Sequence, residues 1–302
     1  MAHAQNDLPS QLGKTAVVTG ATGGLGYETA LALAKAGADV ILTGRDDQKG
    51  AAALANISQD VLGAKVTYER LDLASLASIT DFAQRMQARP SLDLLVNNAG
   101  VMALPSRQTT ADGFEMQFGT NYLGHFALTA QLMSLLRKAA APRVVNVSSL
   151  AHRTGFIDFS DLQGTRWYSP WKAYGQSKLA CLMFALELQR RSDAAGWNVI
   201  STAAHPGFAQ TNLFAGGPGG FVSLASNFAA PFLGHSAAGG ARPILFAATS
   251  PDAKPGGYYG PGGLGELRGA PSRALIMPQA RNAANAAKLW DESEKLTGVS
   301  FA

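Results

Sequence analysis

Tyr174 and Lys178 stand four residues apart. The apolar spacing of Trp171 to Arg191 predicts a helix, so the phenol and the ammonium share one face. A tyrosine in water titrates near pH ~10, too high for an effective base at neutrality, and an ammonium one turn away favours the phenolate. Such a pair can pass a proton to or from a substrate oxygen. Two serines, Ser148 and Ser149, follow the apolar run Arg143 to Val147. At the carboxyl edge of a buried strand, a hydroxyl can donate to an oxygen that is gaining negative charge. Strand alternation does not choose between the two serines.

A second constellation lies near the start. Gly20, Gly24 and Gly26 follow the strand-like run Lys14 to Thr19 and open an Ala/Leu-rich helical pattern from Tyr27 to Ala36. Glycines there permit a tight turn and let main-chain N–H groups approach a pyrophosphate, which rests on the positive end of the helix. The spacing is G-x-x-x-G-x-G, neither the common G-x-G-x-x-G fingerprint nor a P-loop, since no Gly-Lys-Ser/Thr follows. The next apolar run, Asp39 to Thr43, ends at Gly44-Arg45. An NAD site places Asp or Glu there to hold the ribose hydroxyls. Glycine at that position leaves room for a 2′-phosphate, and the Arg45 guanidinium can pair with it, so the expected cofactor is NADP(H).

The elements that must position these groups alternate along the chain. Strand-like runs at Lys65 to Leu71, Leu92 to Val96, Arg143 to Val147 and Asn198 to Ala204 are separated by helical patterns at Asp47 to Leu62, Leu76 to Gln87, Asp112 to Lys138 and Trp171 to Arg191. Ser236 to Thr249 and Pro278 to Leu296 also read as helical, with a short strand near Tyr258-Tyr259. Short apolar strands alternating with helices predict an α/β fold: one doubly wound parallel sheet with helices on both faces. No linker divides the chain, so residues 1–302 read as one dinucleotide-binding domain.

Composition narrows the class. Hydrophobic residues are 47% and charged residues 15% of 302, enough for a sizeable core and far from a disordered composition. The net charge of +4 is small and unclustered, without the basic stripe of a nucleic-acid binder. No apolar run is long enough to span a bilayer as a helix. The single cysteine, Cys181, excludes a disulfide within the chain and offers no second thiolate, and the histidines lack metal-ligand spacing. With no leader-like stretch in Met1 to Ser10, the cytoplasm is the expected compartment.

Taken in order, Thr19-Gly20-x-x-x-Gly24-x-Gly26, Asn97-Asn98-Ala99-Gly100, Tyr174-Gly175-Gln176-Ser177-Lys178 and Pro206-Gly207 resemble the motif series of the short-chain dehydrogenases/reductases, from about Lys14 to Lys295. The stretch Asn146 to His152, with the long segment before Tyr174, looks most like the retinol-dehydrogenase-like branch and its bacterial relatives. The resemblance implies a Rossmann-type domain and oxidoreduction between an alcohol and a ketone or aldehyde. It favours Ser149 over Ser148 as the hydroxyl that orients the substrate oxygen. It makes Tyr174 the proton donor in reduction, while hydride passes to the carbonyl carbon, and Lys178 the group that tunes Tyr174 and holds the nicotinamide ribose. Asn121 resembles the family residue that holds a water against that lysine. Asp72 resembles the residue that receives the adenine amino group, Asn98 one that ties neighbouring strands, and Thr211 one that bonds the carboxamide. Thr22, Leu25, Leu73, Ala99, Pro206 and Gly207 complete the implied cofactor contacts. The implied partner is a small carbonyl or alcohol, with homodimer and homotetramer both open.

One departure from the family pattern stands out. Ser149 and Tyr174 are 25 residues apart, about twice the usual family separation, and the extra segment, about 150–173, holds Phe156, Phe159, Trp167, Tyr168 and Trp171. It is expected either to wall the substrate cleft with apolar surface or to pack its own loop down. Residues 208–233, rich in Gly, Phe and Ala, are expected to form a lid. His205 reads as structural, His125 as packing, and His152 as close enough to Ser149 to touch a substrate. A non-catalytic dinucleotide sensor is disfavoured because Tyr174 and Lys178 are both present. A sugar-nucleotide epimerase or dehydratase is disfavoured by the glycine spacing and the short C-terminal part.

Overall fold

Among the described residues, eight strands form one sheet in the order β3-β2-β1-β4-β5-β6-β7-β8. The structure is a computed structural model, and it describes residues 8–208 and 236–301. The strands are β1 (Thr15–Val18), β2 (Asp39–Gly44), β3 (Val66–Arg70), β4 (Leu94–Asn97), β5 (Arg143–Val147), β6 (Ile200–Ala204), β7 (Tyr258–Pro261) and β8 (Pro271–Arg273). All neighbours run parallel except β8, which pairs antiparallel with β7. The chain winds outward from β1 to β3, then returns to place β4 on the other side of β1. This reversal opens a crevice beyond the carboxyl ends of β1 and β4, where ligands of open α/β sheets bind. The observed architecture is therefore the doubly wound, Rossmann-type sheet.

The central strands β1, β2, β4, β5 and β6 are buried on both sides because both faces are covered. Val17, Ile41, Leu95, Val144 and Ala203 point to one face, and Val18, Val40, Leu42, Val96 and Ala204 to the other, the period of two that a strand imposes. The first face packs against α3 (Leu76–Met86), α5 (Gly124–Leu136), α6 (Pro170–Ala195) and α8 (Ala283–Thr297), with Phe82, Phe126, Phe184 and Trp290 filling the layer. The second packs against α1 (Gly24–Lys35), α2 (Asp47–Asp60) and α7 (Ala237–Thr249).

The expected unbroken helix from Asp112 to Lys138 is corrected. A short α4 (Met116–Phe118) leads through a π-turn (Gly119–Leu123) into α5. The helix starts late because the Glu115 side chain caps it, accepting the N–H groups of Gln117 and Phe118. Burial pushes the Glu115 carboxyl above the usual range. The late strand β8 and the separation of Pro278–Arg281 as a short 3₁₀ turn before α8 also go beyond the sequence pattern.

Candidate active site

The glycine loop is tight for identifiable reasons. Gly20 has φ +64, and a Cβ there would lie 2.9 Å from Ala99 Cα. A Cβ on Gly26 would collide with Gly20 O and lie 2.5 Å from Asn98 Nδ2. Gly23 caps α1 with no side-chain bond, and no acidic residue occupies the first turn. The N-terminal N–H groups thus have no side-chain acceptor, and the positive helix end faces the cleft. Thr19 joins this loop to the next one: its hydroxyl accepts the N–H groups of Asn98 at 2.8 Å and Ala99 at 2.9 Å. Asn98 Nδ2 donates back to Thr19 O at 2.8 Å, tying β1 to the end of β4.

The groups expected to handle the proton meet in the same cleft, about 910 Å³ in volume. Tyr174 and Lys178 lie in α6, both buried yet bordering the cleft. Lys178 Nζ donates to Val147 O at 3.0 Å and lies 5.9 Å from the Tyr174 ring centroid. The Tyr174 hydroxyl has no hydrogen-bond partner among the described residues. The two serines separate clearly. Ser148 is buried and its hydroxyl donates to Lys178 O at 2.7 Å, whereas the Ser149 hydroxyl only accepts, from Ala151 N–H at 3.2 Å, and keeps its proton to give.

Asn121 sits in the π-turn. Its Oδ1 accepts Val101 N–H at 2.8 Å, and its Nδ2 donates to Val101 O and Ser177 Oγ, each at 2.9 Å. A Cβ on Gly100 would lie 3.0 Å from Asn121 Oδ1 and 3.5 Å from Lys178 Nζ, so both side chains hang over the same glycine. Sequence reasoning assigned Ser177 no role, although it lies within the Tyr174–Lys178 motif. It fastens Asn121 to the carbonyl of Tyr174, to which its hydroxyl donates at 2.8 Å.

At the far end of the cleft, Arg45 is exposed and has no ion-pair or hydrogen-bond partner among the described residues. Its neighbours are engaged elsewhere: Asp46 caps α2 and pairs with Lys49 at 3.8 Å, and Asp47 pairs with Arg70 at 3.2 Å. Lys49, which also lines the cleft, was missed in the sequence, although it stands four residues after Arg45 at the start of a helix. Gly44 also has a packing role. A Cβ there would lie 2.7 Å from Thr22 Cγ2, so the glycine lets the phosphate loop close onto β2. Asp72 borders the cleft and accepts Ala74 N–H at 2.9 Å, and Ser75 caps α3. Thr22, Leu25, Leu73, Ala99, Pro206 and Gly207 all line the cleft. Thr211 and, apart from Phe208, the expected lid lie outside the described residues.

The segment 150–173 divides its aromatics. Trp171 lines the cleft and meets the Tyr174 ring edge-on at 6.2 Å. Trp167 does not: it is 61% exposed and lies under Lys172 Nζ at 4.1 Å. Phe156 is also exposed. Phe159 packs against the core, and Tyr168 donates to Leu104 O at 2.8 Å. The placement of His152 beside a substrate is likewise corrected. Its ring is buried and its Nδ1 bonds Ser149 O at 2.7 Å, beneath the serine.

These features coincide with a family. The description "short chain dehydrogenase" matches residues 14–216. Retinol dehydrogenase 13 of Mus musculus is 44% identical over 298 residues, covering 96% of this chain and 85% of that protein. The chain is a short-chain dehydrogenase/reductase. It falls in the retinol-dehydrogenase-like branch with its bacterial relatives, for polyprenol dehydrogenase of Mus musculus is also 41% identical, covering 97% of this chain and 86% of that protein. The crystal structure of an uncharacterised protein from Mycobacterium paratuberculosis superposes with a TM-score of 0.82 at 41% identity, covering 98% of this chain and 97% of that one. As a short-chain dehydrogenase/reductase, the protein is an oxidoreductase that uses a nicotinamide dinucleotide. The glycine cradle, the uncapped start of α1 and the unpaired Arg45 all fit such a group. Among the described residues, no cluster of His, Cys, Asp and Glu could hold a metal ion, and no helix is long and apolar enough to cross a membrane.

In this dehydrogenase, His125 joins the glycine loop to the π-turn. Its Nδ1 lies 2.8 Å from Asn121 O and its Nε2 lies 2.8 Å from Thr19 Oγ1. A carbonyl can only accept, so Nδ1 carries the proton and Nε2 accepts from the threonine. Burial holds its pKa down to about 4, against the opposing pull of the Asn121 carbonyl. The unfolded chain therefore takes up this proton first, and acidification from about pH 6.5 to pH 4 removes stability, up to roughly 3 kcal/mol from this residue. Denaturant unfolding between pH 7 and pH 4 is expected to show a shallower loss in His125→Gln than in the wild type. Parallel curves would exclude the residue as the source.

Proposed function

We propose that this protein interconverts an apolar alcohol and its aldehyde or ketone with NADP(H). The observation that carries the reading is the single cleft into which the Tyr174 and Ser149 hydroxyls open, one end closed by the glycine loop and Arg45. When bound, the nicotinamide supplies the hydride in reduction and accepts it in oxidation. In reduction, Tyr174 gives its proton to the substrate oxygen and Ser149 donates a second hydrogen bond to it, so the charge that develops there is met from both. Lys178, fixed by Val147 O, places its ammonium beside the phenol to favour the phenolate that remains. In this reading Asn121, over the same glycine, holds a water that returns a proton through Lys178. Oxidation reverses these steps.

Among the described residues, the charged ones lining the cleft are Arg45, Lys49, Asp72 and Lys178. The first three stand at the dinucleotide end and the fourth belongs to the catalytic group. The remaining wall carries Val101, Met102, Leu104, Leu150 and Trp171. Among the described residues this wall, which also carries the hydroxyls of Thr120 and Thr154, favours apolar substrates and offers no cation to a carboxylate or phosphate. Relatives named as retinol and polyprenol dehydrogenases support the same substrate class. The test is a panel of aliphatic, isoprenoid and charged alcohols and aldehydes with each cofactor, followed at the reduced-nicotinamide absorbance. Turnover of charged substrates in preference to apolar ones would overturn the reading.

The divided aromatics sharpen it. Trp171→Ala is expected to lower kcat/KM for bulky apolar substrates roughly five- to hundredfold, from about 1–3 kcal/mol of lost apolar contact, and to spare small ones. Trp167→Ala, outside the cleft, is expected to change neither by more than about twofold. Equal losses in both variants, accompanied by a lower Tm, would show that the segment only packs its own loop.

A further inference from the structure

Glu266 stands outside the cleft, in no motif, and takes an unusual backbone conformation. Its φ is +61, directly after Gly265 at φ +63. A non-glycine residue held in this region costs energy and persists only where its surroundings demand it. Its carboxylate collects three donors from three separate segments. Arg153 Nη2 reaches Oε2 at 2.7 Å, His205 Nε2 reaches Oε2 at 2.9 Å, and Leu275 N–H donates to Oε1 at 3.0 Å.

The protons on this bridge follow from geometry. Gly207 N–H donates to His205 Nδ1 at 3.1 Å, so that nitrogen is an acceptor and Nε2 carries the ring proton toward Glu266. Burial lowers the pKa of His205, which agrees with a neutral ring. The ring is buried, and a Cβ on Gly260 of β7 would collide with it, so it has little room to turn.

Two of the three bonded segments border the active site. Arg153 ends the 3₁₀ turn Leu150–Arg153, whose N-cap is Ser149. His205 directly follows β6 and holds the turn Pro206–Gly207, which lines the cleft. That turn also leans on the Glu266 loop: Phe208 N–H donates to Leu267 O at 2.9 Å, and a Cβ on Gly207, at φ +70, would collide with the same carbonyl.

We infer that Glu266 is a positioning residue that locks the Ser149 turn and the Pro206–Gly207 turn into one register through Arg153 and His205. The inference rests on the proposed roles of Ser149 and of the Pro206–Gly207 turn at the reaction centre. The strained backbone at Glu266 aims one carboxylate at both loops, and neither Arg153 nor His205 touches the reacting atoms. Misplacement of a reacting group by about 1 Å can cost ~10²-fold in rate, so a bridge of this kind acts on kcat more than on KM.

Severing either end separates this from local packing. Arg153→Met keeps the side-chain stem and removes the link on the serine side. His205→Asn keeps an acceptor for Gly207 N–H and withdraws the link to Glu266. Each is expected to lower kcat roughly five- to twentyfold with little change in KM, and the double variant to fall no further than the worse single one, since either cut opens the same bridge. Losses that multiply in the double variant, or a lower Tm with kcat unchanged, would overturn the inference. Amide hydrogen exchange gives a readout independent of activity. Peptides covering 149–153 and 205–208 are both expected to exchange faster in each single variant, and loosening confined to the mutated side would overturn the bridge. A wild-type protein that turns over no alcohol or carbonyl compound would instead defeat the proposed function, and the exchange result would still decide the bridge.

Discussion

Tyr174→Phe is expected to abolish turnover, with kcat/KM down at least about 10³-fold for every carbonyl substrate, while NADPH binding stays within about threefold of wild type. The structure explains why the loss should be so selective. The Tyr174 hydroxyl has no protein hydrogen-bond partner among the described residues, so its removal leaves no donor or acceptor stranded. The ring itself remains, and with it the edge contact to Trp171 and the position of Lys178 Nζ, 5.9 Å from the centroid. Tm should therefore hold, and cofactor affinity can be read from quenching of protein fluorescence by NADPH. Retention of more than about 5% of wild-type kcat would show that another group supplies the proton, and Ser149, whose hydroxyl keeps its proton at the cleft, would be the first to test.

Arg45→Ala is expected to weaken NADPH roughly 10- to 150-fold and to leave NADH nearly unchanged, from the loss of a charge-assisted contact of about 1.5–3 kcal/mol. The guanidinium is available because Asp46 and Asp47 are occupied by Lys49 and Arg70. Since Arg45 is exposed, its contribution should shrink with added salt, more steeply for NADPH than for NADH. Lys49→Ala is a useful companion, because a second cation at the same end should produce a smaller loss in the same direction. Equal affinity of the unmutated protein for both cofactors would remove the basis for NADP(H).

The sequence by itself determined the alternation of elements, the place of the glycine loop, and the pairing of Tyr174 with Lys178. Each of these is written in local spacing. Apolar runs of strand length between helical repeats leave few folds open, and a four-residue interval fixes one helix face. The expected helix Trp171 to Arg191 lies within α6 (Pro170–Ala195), one residue inside its start and four inside its end. The glycines are equally local in signal, although the reasons they are needed, Ala99 against Gly20 and Asn98 against Gly26, come from residues more than seventy positions away.

Only the tertiary structure decided between like residues at neighbouring positions. Ser148 and Ser149 differ because the carbonyl of Lys178, on another element, takes the first hydroxyl and leaves the second. Trp167 and Trp171 are both aromatic residues of the segment 150–173, yet of the two only Trp171 reaches the cleft, because it lies on α6 one turn before Tyr174. The π-turn that carries Asn121 is invisible in the apolar repeat, which runs on through it. Its residues are held by contacts to Val101, Ser177 and His125 that the local pattern does not record. Glu266 gave no signal at all, since it meets Arg153 and His205 across 113 and 61 positions. Spacing along the chain reports which face of an element a side chain occupies. Which hydroxyl keeps its proton, and which charge keeps a partner, is settled by groups that only folding brings within about 3 Å.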